Sequence, residues 1–330
     1  MTASPSLAAS HSRNDTALGI LCLCAGIGLF AIQDLILKLL SGSYPLSEAM
    51  VLRGLTAMPL LMLLAVRDGG LRTLITPATG RMIARGVIMF MAYAAYYLAL
   101  PALPIATTVA LYFTAPLFIT VLSVLWLKEN VGWRRWAAVA LGFSGVVVMV
   151  RPGAAMFDWA ALMVLLSGLS YGGAMIFARK LGETETAPAM AFWGNFVFLV
   201  VALAMSTAFG SGAFANESHP TLAFLLRGWA WPSTIDALLM CGCGVIAALG
   251  LTLLTQAYRI ADSNAVAPFE YSYMLWGVLW GWTFFNEWPD LISWIGIAII
   301  MAAGLLVLWR EKVNELPPAF ERLSADPEQP

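Results

Sequence analysis

The residues of this 330-residue chain best placed to do chemistry are charged side chains inside long apolar segments: Asp34, Lys38, Arg53 and Glu270. If those segments lie in lipid, each charge costs at least about 2.5–3.5 kcal/mol at a helix centre, so it must face a cavity or a partner. Such groups can bind a charged solute, carry a proton or close a gate. Asp34 and Lys38 lie four residues apart, on one helix face, and can pair with each other.

Arg53 has two interpretations. It lies about seven residues, or about 10 Å of helical rise, inside the predicted outer end of its segment. Because a short turn joins this segment to the preceding one, Arg53 can pair with Asp34 or Glu48 and lock the outer mouth of a bundle. The alternative is direct contact with a solute, and a gate that forms in one state and breaks in another would combine the two.

Two glutamates frame the stretch PFEYSYMLWGVLWGWTFFNEW, residues 268–288. Pro268 cannot donate a backbone hydrogen bond, so the helix can open near Glu270. We expect Glu270 either to bind a cationic group or a proton, or to be satisfied by neighbouring hydroxyls, amides or water. Glu287, like Glu129, ends an apolar segment, and we interpret this pair as markers of helix ends that water or loop amides solvate.

Aromatic and polar side chains within the segments are candidates for the wall of a solute pocket. A solute with an aromatic or flat portion suits such walls. The alternative for each residue is packing or anchoring, because tyrosines are common at membrane interfaces. Tyr96 and Tyr97 are neighbours, so we expect only one of them to face the cavity. The other candidates are Tyr93, Tyr112, Trp193, Asn195, Gln256 and Tyr271.

Composition places these residues in a membrane protein. The chain is 60% hydrophobic and only 11% charged, and its mean hydropathy is +0.80. An ordinary soluble domain is about 45–50% apolar and about 25% charged. The net charge of -1, without a long basic run, gives no indication of a nucleic-acid partner. The four cysteines form two C-x-C pairs that point apart on a helix, so we expect packing rather than a metal or a cofactor.

Apolar runs long enough to cross a hydrocarbon core of about 30 Å predict an all-α polytopic fold with ten transmembrane helices. The runs are continuous rather than alternating, which favours helices over a barrel. Pro59, Pro116 and Pro268 mark points where their helices can bend. The approximate limits of the runs are 17–38, 47–66, 82–100, 104–127, 134–150, 158–179, 187–208, 236–259, 263–286 and 290–309.

Basic residues set the orientation of such a bundle, because lysines and arginines stay on the cytoplasmic side. With the N-terminus inside, most of the 18 lysines and arginines fall in cytoplasmic segments, and the outer segments carry only Arg151 and Arg227. This asymmetry holds along the whole chain. We therefore expect both termini in the cytoplasm.

The chain also repeats itself. A shift of 158 residues places Glu129 on Glu287 and Trp136 on Trp294, and a shift of 141 places Phe30 on Tyr171. Each half holds five helices, and because five is odd the two halves must cross the membrane in opposite directions, as inverted repeats of transporters do. The predicted organisation is a disordered cytoplasmic tail (1–16), a first repeat (17–153), a second repeat (158–310) and a cytoplasmic C-terminal tail (311–330).

Three stretches carry a family resemblance: AMVLRGLTAMPLL (49–61), PLFITVLSVLWLKENVGWRRWAAVALGFSGVVVMVRPG (116–153) and PFEYSYMLWGVLWGWTFFNEWPDLISWIGIAIIMAAGLL (268–306). With ten helices in two halves, they resemble the EamA-like permeases of the drug/metabolite transporter superfamily. The resemblance implies a carrier of small metabolites in a bacterial inner (cytoplasmic) membrane. It leaves the substrate open, because members move amino acids, nucleosides and vitamins. The motif NEW at 286–288 departs from the glycine–glutamate ending common in the family.

We therefore expect a secondary transporter that moves a small-molecule solute through the lipid bilayer by alternating access. Proton coupling, exchange and homodimer formation all stay open at this point. The alternative is a membrane enzyme that acts on a lipid-linked substrate. Such an enzyme needs clustered His, Asp or Glu at one membrane face, whereas the two histidines, His11 and His219, lie in polar segments.

Overall fold

The computed structural model of the chain describes residues 5–67, 70–128, 132–152, 157–181, 185–215, 218–261 and 266–315. Within these ranges all regular structure is helical. The helices are α1 (Pro5–Leu40), α2 (Leu46–Arg67), α3 (Thr79–Ala99), α4 (Ile105–Tyr112), α5 (Ala115–Leu127), α6 (Trp133–Val150), α7 (Ala160–Leu181), α8 (Ala187–Phe209), α9 (Pro220–Leu226), α10 (Thr234–Ile260), α11 (Ser272–Phe285) and α12 (Leu291–Glu315). Two 3-10 turns cover Leu71–Leu74 and Ala267–Tyr271.

The all-α polytopic fold predicted from the sequence is confirmed. Among the described residues, 7 helices are long and apolar enough to cross a membrane, judged by length and composition, and two further apolar helices, Trp136–Val150 and Leu291–Leu306, are shorter. The ninth predicted span is a 3-10 turn followed by α11, which has 14 residues. For that reason the number of ten crossings stays a prediction, as do the limits of the tails.

Two helices are interrupted at equivalent points of the two halves. The fourth predicted span breaks at Phe113, between α4 and α5, and Pro116 follows in the first turn of α5. A shift of 158 residues takes Phe113 to Tyr271, where the 3-10 turn that contains Pro268 gives way to α11. The rings of Phe113 and Tyr271 lie 4.8 Å apart, so the two breaks meet. Pro59, by contrast, lies inside α2, which continues from Leu46 to Arg67 without a break.

The ends of α5 and α11 also match. Lys128 and Asn286 occupy equivalent positions, and both have left-handed backbone angles, with φ of 56° and 54°. Their amides bond back to the carbonyls of Ser123 and Gly281, which are equivalent too. Asparagine adopts the left-handed region more readily than most residues, so Asn286 takes the place that glycine fills at many helix ends. Glu129 lies outside the described residues.

Helix packing follows the same two-fold exchange of halves. The contact between α1 and α10 has its equivalent in the contact between α7 and α3, because exchange of the halves converts one pair into the other. Helix α2 packs on its own counterpart α8, and α6 packs on its own counterpart α12. At the α6–α12 contact, a Cβ on Gly142 would lie 3.2 Å from Ala303, and one on Gly145 would lie 2.9 Å from Ile300. These two contacts are images of each other under the shift of 158 residues. The repeat seen in sequence is therefore present in the packing.

Candidate functional site

Asp34 lies buried between the two halves, held by two phenol groups. The Tyr96 hydroxyl of α3 donates to Asp34 Oδ2 at 2.7 Å, and the Tyr273 hydroxyl of α11 donates to the same oxygen. The side chain is only 2% exposed. Hydrogen bonds to a charged acceptor are stronger than neutral ones, which favours placing two donors on a buried carboxylate.

Arg53 contacts Gln33, the residue before Asp34 on α1, and does not bond to the carboxylate. Its Nε donates to Gln33 Oε1 at 3.3 Å, and Gln33 Nε2 donates to the Tyr97 hydroxyl at 2.7 Å. The guanidinium carbon lies 4.6 Å from the ring centre of Phe198 and 5.5 Å from that of Tyr93. Ring faces attract a desolvated cation, so the two rings stabilise the buried arginine.

These contacts differ from two expectations. Arg53 forms no ion pair with Asp34 or Glu48 in the described part of the chain. Its Nε bonds to Gln33 instead, and its guanidinium group lies over an aromatic ring. Both Tyr96 and Tyr97 reach the same site, because they meet the adjacent residues Asp34 and Gln33 on α1. The central cluster, as used below, consists of Gln33, Asp34, Arg53, Tyr96, Tyr97 and Tyr273.

A chain of aromatic rings extends from the central cluster across both halves. Ring centres lie 6.0 Å apart for Tyr93 and Tyr97, 5.3 Å for Tyr96 and Tyr112, and 5.6 Å for Tyr112 and Tyr171. The carboxylate of Glu270 is half-buried and interacts electrostatically with Tyr112 and Tyr171. The sequence candidates Asp34, Arg53, Tyr93, Tyr112 and Glu270 thus share one region.

The other sequence candidates make different contacts. Trp193 Nε1 donates to the Leu74 carbonyl at 2.7 Å, beside an apolar cavity of about 410 Å³. Asn195 Nδ2 donates to the Gly54 carbonyl at 3.1 Å and so links α8 to its counterpart α2. Tyr271 packs on Phe113 at the helix break, and Gln256 is half-buried on α10. Trp193 and Asn195 therefore make contacts that hold helices together.

Polar links join the helices at one end of the bundle, called here the closed end, where α1 and α11 finish and α2, α10 and α12 begin. Lys38 Nζ donates to both carboxylate oxygens of Glu287, at 2.7 and 2.9 Å, and to the Leu103 carbonyl at 2.7 Å. Glu287 Oε2 also accepts from the amide of Ile105 at 3.3 Å. The expected pair between Asp34 and Lys38 does not form, because all three lysine donors are used at the closed end.

Glu287 therefore differs from its sequence interpretation. It ends its helix as predicted and accepts from a backbone amide, but it also pairs with a buried lysine from the other half. The sequence did contain one indication of this pair, because Lys38 and Glu287 both lie at the outer ends of their predicted transmembrane segments. For Gln33 the signal is its place next to Asp34, whereas Phe198 carries none in the sequence.

The segment between α8 and α10 is longer than its counterpart between α2 and α3, and it covers the closed end. Arg227 Nη1 donates to the carbonyls of Ser41 at 2.7 Å and Tyr44 at 3.4 Å, in the α1–α2 turn. The amide of Ala230 donates to Glu48 Oε2 at 3.2 Å. The Tyr44 hydroxyl donates to Asp236 at 2.7 Å, and this bond raises the Tyr44 pKa because it stabilises the protonated phenol.

A second ion pair at the closed end is exposed. Arg151 Nη2 donates to both oxygens of Asp290, at 2.6 and 2.5 Å. The hydrogen bond from Arg151 holds the pKa of Asp290 well below its usual range, because it stabilises the charged carboxylate. Both ion pairs join the first half of the chain to the α11–α12 connection.

Comparisons with known proteins agree with this architecture. The chain matches the model of the EamA-like transporter family twice, over residues 17–151 and 158–309. A solved structure, described as the crystal structure of a protein, is 15% identical with a TM-score of 0.59, and the match covers 92% of this chain and 99% of that one. That likeness concerns the fold alone.

Two curated relatives have named substrates. The chain is 32% identical to a riboflavin transporter of Rhizobium johnstonii, over 76% of this chain and 77% of the relative. It is 28% identical to an S-adenosylmethionine uptake transporter of Rickettsia conorii, over 74% and 76% of the two chains. Both similarities extend across most of the repeats described above.

Proposed function

This chain belongs to the EamA-like transporter family, and we propose that it is a secondary carrier for a solute with a planar ring. Its family and its named relatives indicate a multi-pass transporter of a small metabolite. The proposal adds alternating access, a site at the central cluster, both termini in the cytoplasm and a place in the bacterial inner membrane.

The observation that carries the proposal is the chain of tyrosine rings around Asp34, contributed by both halves. Aromatic pairs add about 0.5–1.5 kcal/mol beyond the area that they bury, so a flat ring is a suitable ligand for such walls. Riboflavin and S-adenosylmethionine, which the relatives are named for, both contain a planar heteroaromatic ring. A site between two repeats also suits alternating access, in which the halves rock about a shared site.

The closed end supports a gating role for its polar links. Lys38 and the turn before α4 belong to the first half, and Glu287 to the second, so this ion pair ties the halves together at one end. The distribution of basic residues predicts that this end faces outward. In the proposed cycle the outer mouth is closed in this structure and opens when the Lys38–Glu287 pair separates.

Uptake into vesicles that contain the purified protein tests the proposal. We expect accumulation of riboflavin, S-adenosylmethionine or another ring-bearing metabolite, and a loss of about two- to tenfold in Tyr112→Leu, which removes a central ring. Phe284→Leu is the matched control, because it removes a ring that is 53% exposed on α11. A pH gradient across the same vesicles distinguishes proton coupling from exchange.

Failure of every ring-bearing solute in a panel, with uptake of ring-free amino acids instead, would contradict the proposal. Turnover of a lipid in the same vesicles would favour the enzyme alternative.

A further inference from the structure

Two opposite charges in the central cluster retain hydrogen-bonding capacity. Arg53 uses Nε on Gln33, and the described structure gives its two Nη atoms no hydrogen-bond acceptor. Asp34 accepts both tyrosine hydroxyls on Oδ2, and its Oδ1 has no hydrogen bond among the described residues. Neither Oδ1 nor the Nη atoms are among the fully enclosed polar atoms that lack a partner, so each retains some open space.

This arrangement is costly for a structure that needs no ligand. Arg53 is only 5% exposed, and a buried charge is normally neutralised by a partner at hydrogen-bond distance. The residue that follows Gln33 on α1, Asp34, carries the opposite charge, yet the two charges do not pair. Gln33 occupies Arg53 Nε, and the two tyrosines occupy one oxygen of Asp34, so the cluster holds the charges apart.

The two charges also lie at similar depth. Asp34 is about 9 Å of helical rise from the end of α1 at Leu40, and Arg53 is about 10 Å from the start of α2 at Leu46. Both of these helix ends are at the closed end. One ligand can therefore reach both residues without spanning the bundle.

We propose that the transported solute is amphoteric, with an anionic group for Arg53 and a cationic N–H donor for Asp34. The two free Nη atoms of Arg53 present the planar fork that binds a carboxylate in a bidentate manner. Asp34 Oδ1 accepts from an ammonium group, and the tyrosine rings hold the planar part. The inference rests on the proposed function and narrows its substrate class to a ring joined to an amino-acid-like head.

Charge-matched probes test the inference by their binding to purified protein. S-adenosylhomocysteine carries both head-group charges, adenosine is the same ring system without the head, and riboflavin is a neutral planar ring. A hydrogen bond to a charged group contributes enough for about a 10–100-fold preference, so we expect wild-type protein to bind S-adenosylhomocysteine that much more tightly than adenosine. Binding is read as the ligand-dependent rise in melting temperature and by titration calorimetry.

Variants assign the preference to the two residues. Arg53→Gln and Asp34→Asn are each expected to remove the preference, measured as the ratio of the S-adenosylhomocysteine and adenosine affinities of the same variant. Arg53→Lys keeps the charge but loses the fork, so it should retain only part of the preference. Arg151→Gln is the matched control, because it removes an arginine from an exposed ion pair at the closed end. The melting temperature without ligand verifies that each variant is folded.

The outcomes separate the two proposals. If adenosine or riboflavin binds wild-type protein as tightly as S-adenosylhomocysteine does, and Arg53→Gln has no effect, the amphoteric substrate is wrong while the planar-ring carrier stands. If no planar probe binds or is taken up while ring-free solutes are, the proposed function fails and takes this inference with it. A preference that survives in both Arg53→Gln and Asp34→Asn also overturns the inference.

Discussion

The closed end and the central cluster both contain buried charge, but they satisfy it in different ways. At the closed end the side chain of Lys38, 7% exposed, has an acceptor for each of its three protons, and Glu287 accepts from Lys38 and from a backbone amide. In the central cluster Arg53 and Asp34 do not pair with each other, and each has hydrogen-bonding capacity left over within the described structure. The Lys38–Glu287 pair is therefore matched within the framework, whereas the function proposed above assigns the unpaired charges of the central cluster to a ligand.

The two ion pairs of the closed end refine this comparison. Glu287 and Asp290 are three residues apart on the same connection, but the pair with Lys38 is 7% and 26% exposed, and the pair with Arg151 is 20% and 49% exposed. Solvent screens the second pair far more than the first. The two ion pairs have similar geometry, but we expect the buried Lys38–Glu287 pair to affect stability more than the exposed Arg151–Asp290 pair.

The largest expected effect comes from Glu287→Gln, which leaves the buried Lys38 without a counter-charge. Removing one partner of a buried pair typically costs about 3–5 kcal/mol, whereas removing both is often neutral. Thermal unfolding in detergent should show this loss, with most of it recovered in the double variant Lys38→Met, Glu287→Gln. An unchanged melting temperature in Glu287→Gln would mean that the closed end does not depend on this pair.

Tyr273→Phe tests the central cluster, because it removes one of two donors to Asp34 and keeps the ring. A hydrogen bond to a charged group contributes about 1.5–3 kcal/mol, so the free energy of unfolding should fall by about that amount, and transport should fall because Asp34 keeps only one donor. Tyr271→Phe lies two residues away and removes no hydrogen bond that the described structure contains, so its effect should be smaller. Equal losses in both variants would argue against a specific role for the bond to Asp34.

Gly244→Ala perturbs the backbone beneath Arg53 without changing a charge. A Cβ at Gly244 would meet the Arg53 carbonyl and lie 2.8 Å from Thr56 Cβ and 2.9 Å from the Ala57 amide. Forcing α2 and α10 apart should cost about 1–3 kcal/mol of stability. Gly242→Ala, on the same helix with nothing within 4 Å of its Cβ, is the control and should be neutral or slightly stabilising. Equal melting temperatures for the two variants would show that this contact is not tight.

Asp290→Asn should have the smallest effect, under about 1 kcal/mol, because the pair with Arg151 is screened by solvent. The pKa of Asp290 is lower in the folded protein than its unfolded value of about 3.9. Its stabilisation is therefore fully present above that value and is lost as the pH falls through the folded pKa. Melting temperatures of wild type and Asp290→Asn should converge below about pH 3, and a gap that widens on acidification would contradict this assignment.

Much of the fold could be predicted from local properties of the chain. Hydropathy located the helices, and Pro116 and Pro268 marked points near the breaks at Phe113 and Tyr271. Asp34 and Arg53 were identified as buried charges because a charge in an apolar span is costly wherever its partner lies. Their partners were predicted incorrectly, since Lys38 pairs with Glu287 rather than Asp34, and Arg53 bonds to Gln33.

What the sequence by itself determined is therefore which segments are helical and which charges are buried, because the cost of burying each group depends mainly on its own chemistry and neighbours along the chain. The tertiary structure alone decided which of these charges meet. Lys38 and Glu287 are separated by 249 residues, and their contact depends on how α1, α4 and α11 pack at the closed end. Hydropathy carries no information on distances between packed helices, so only the assembled bundle distinguishes a satisfied charge from one that is open to a ligand.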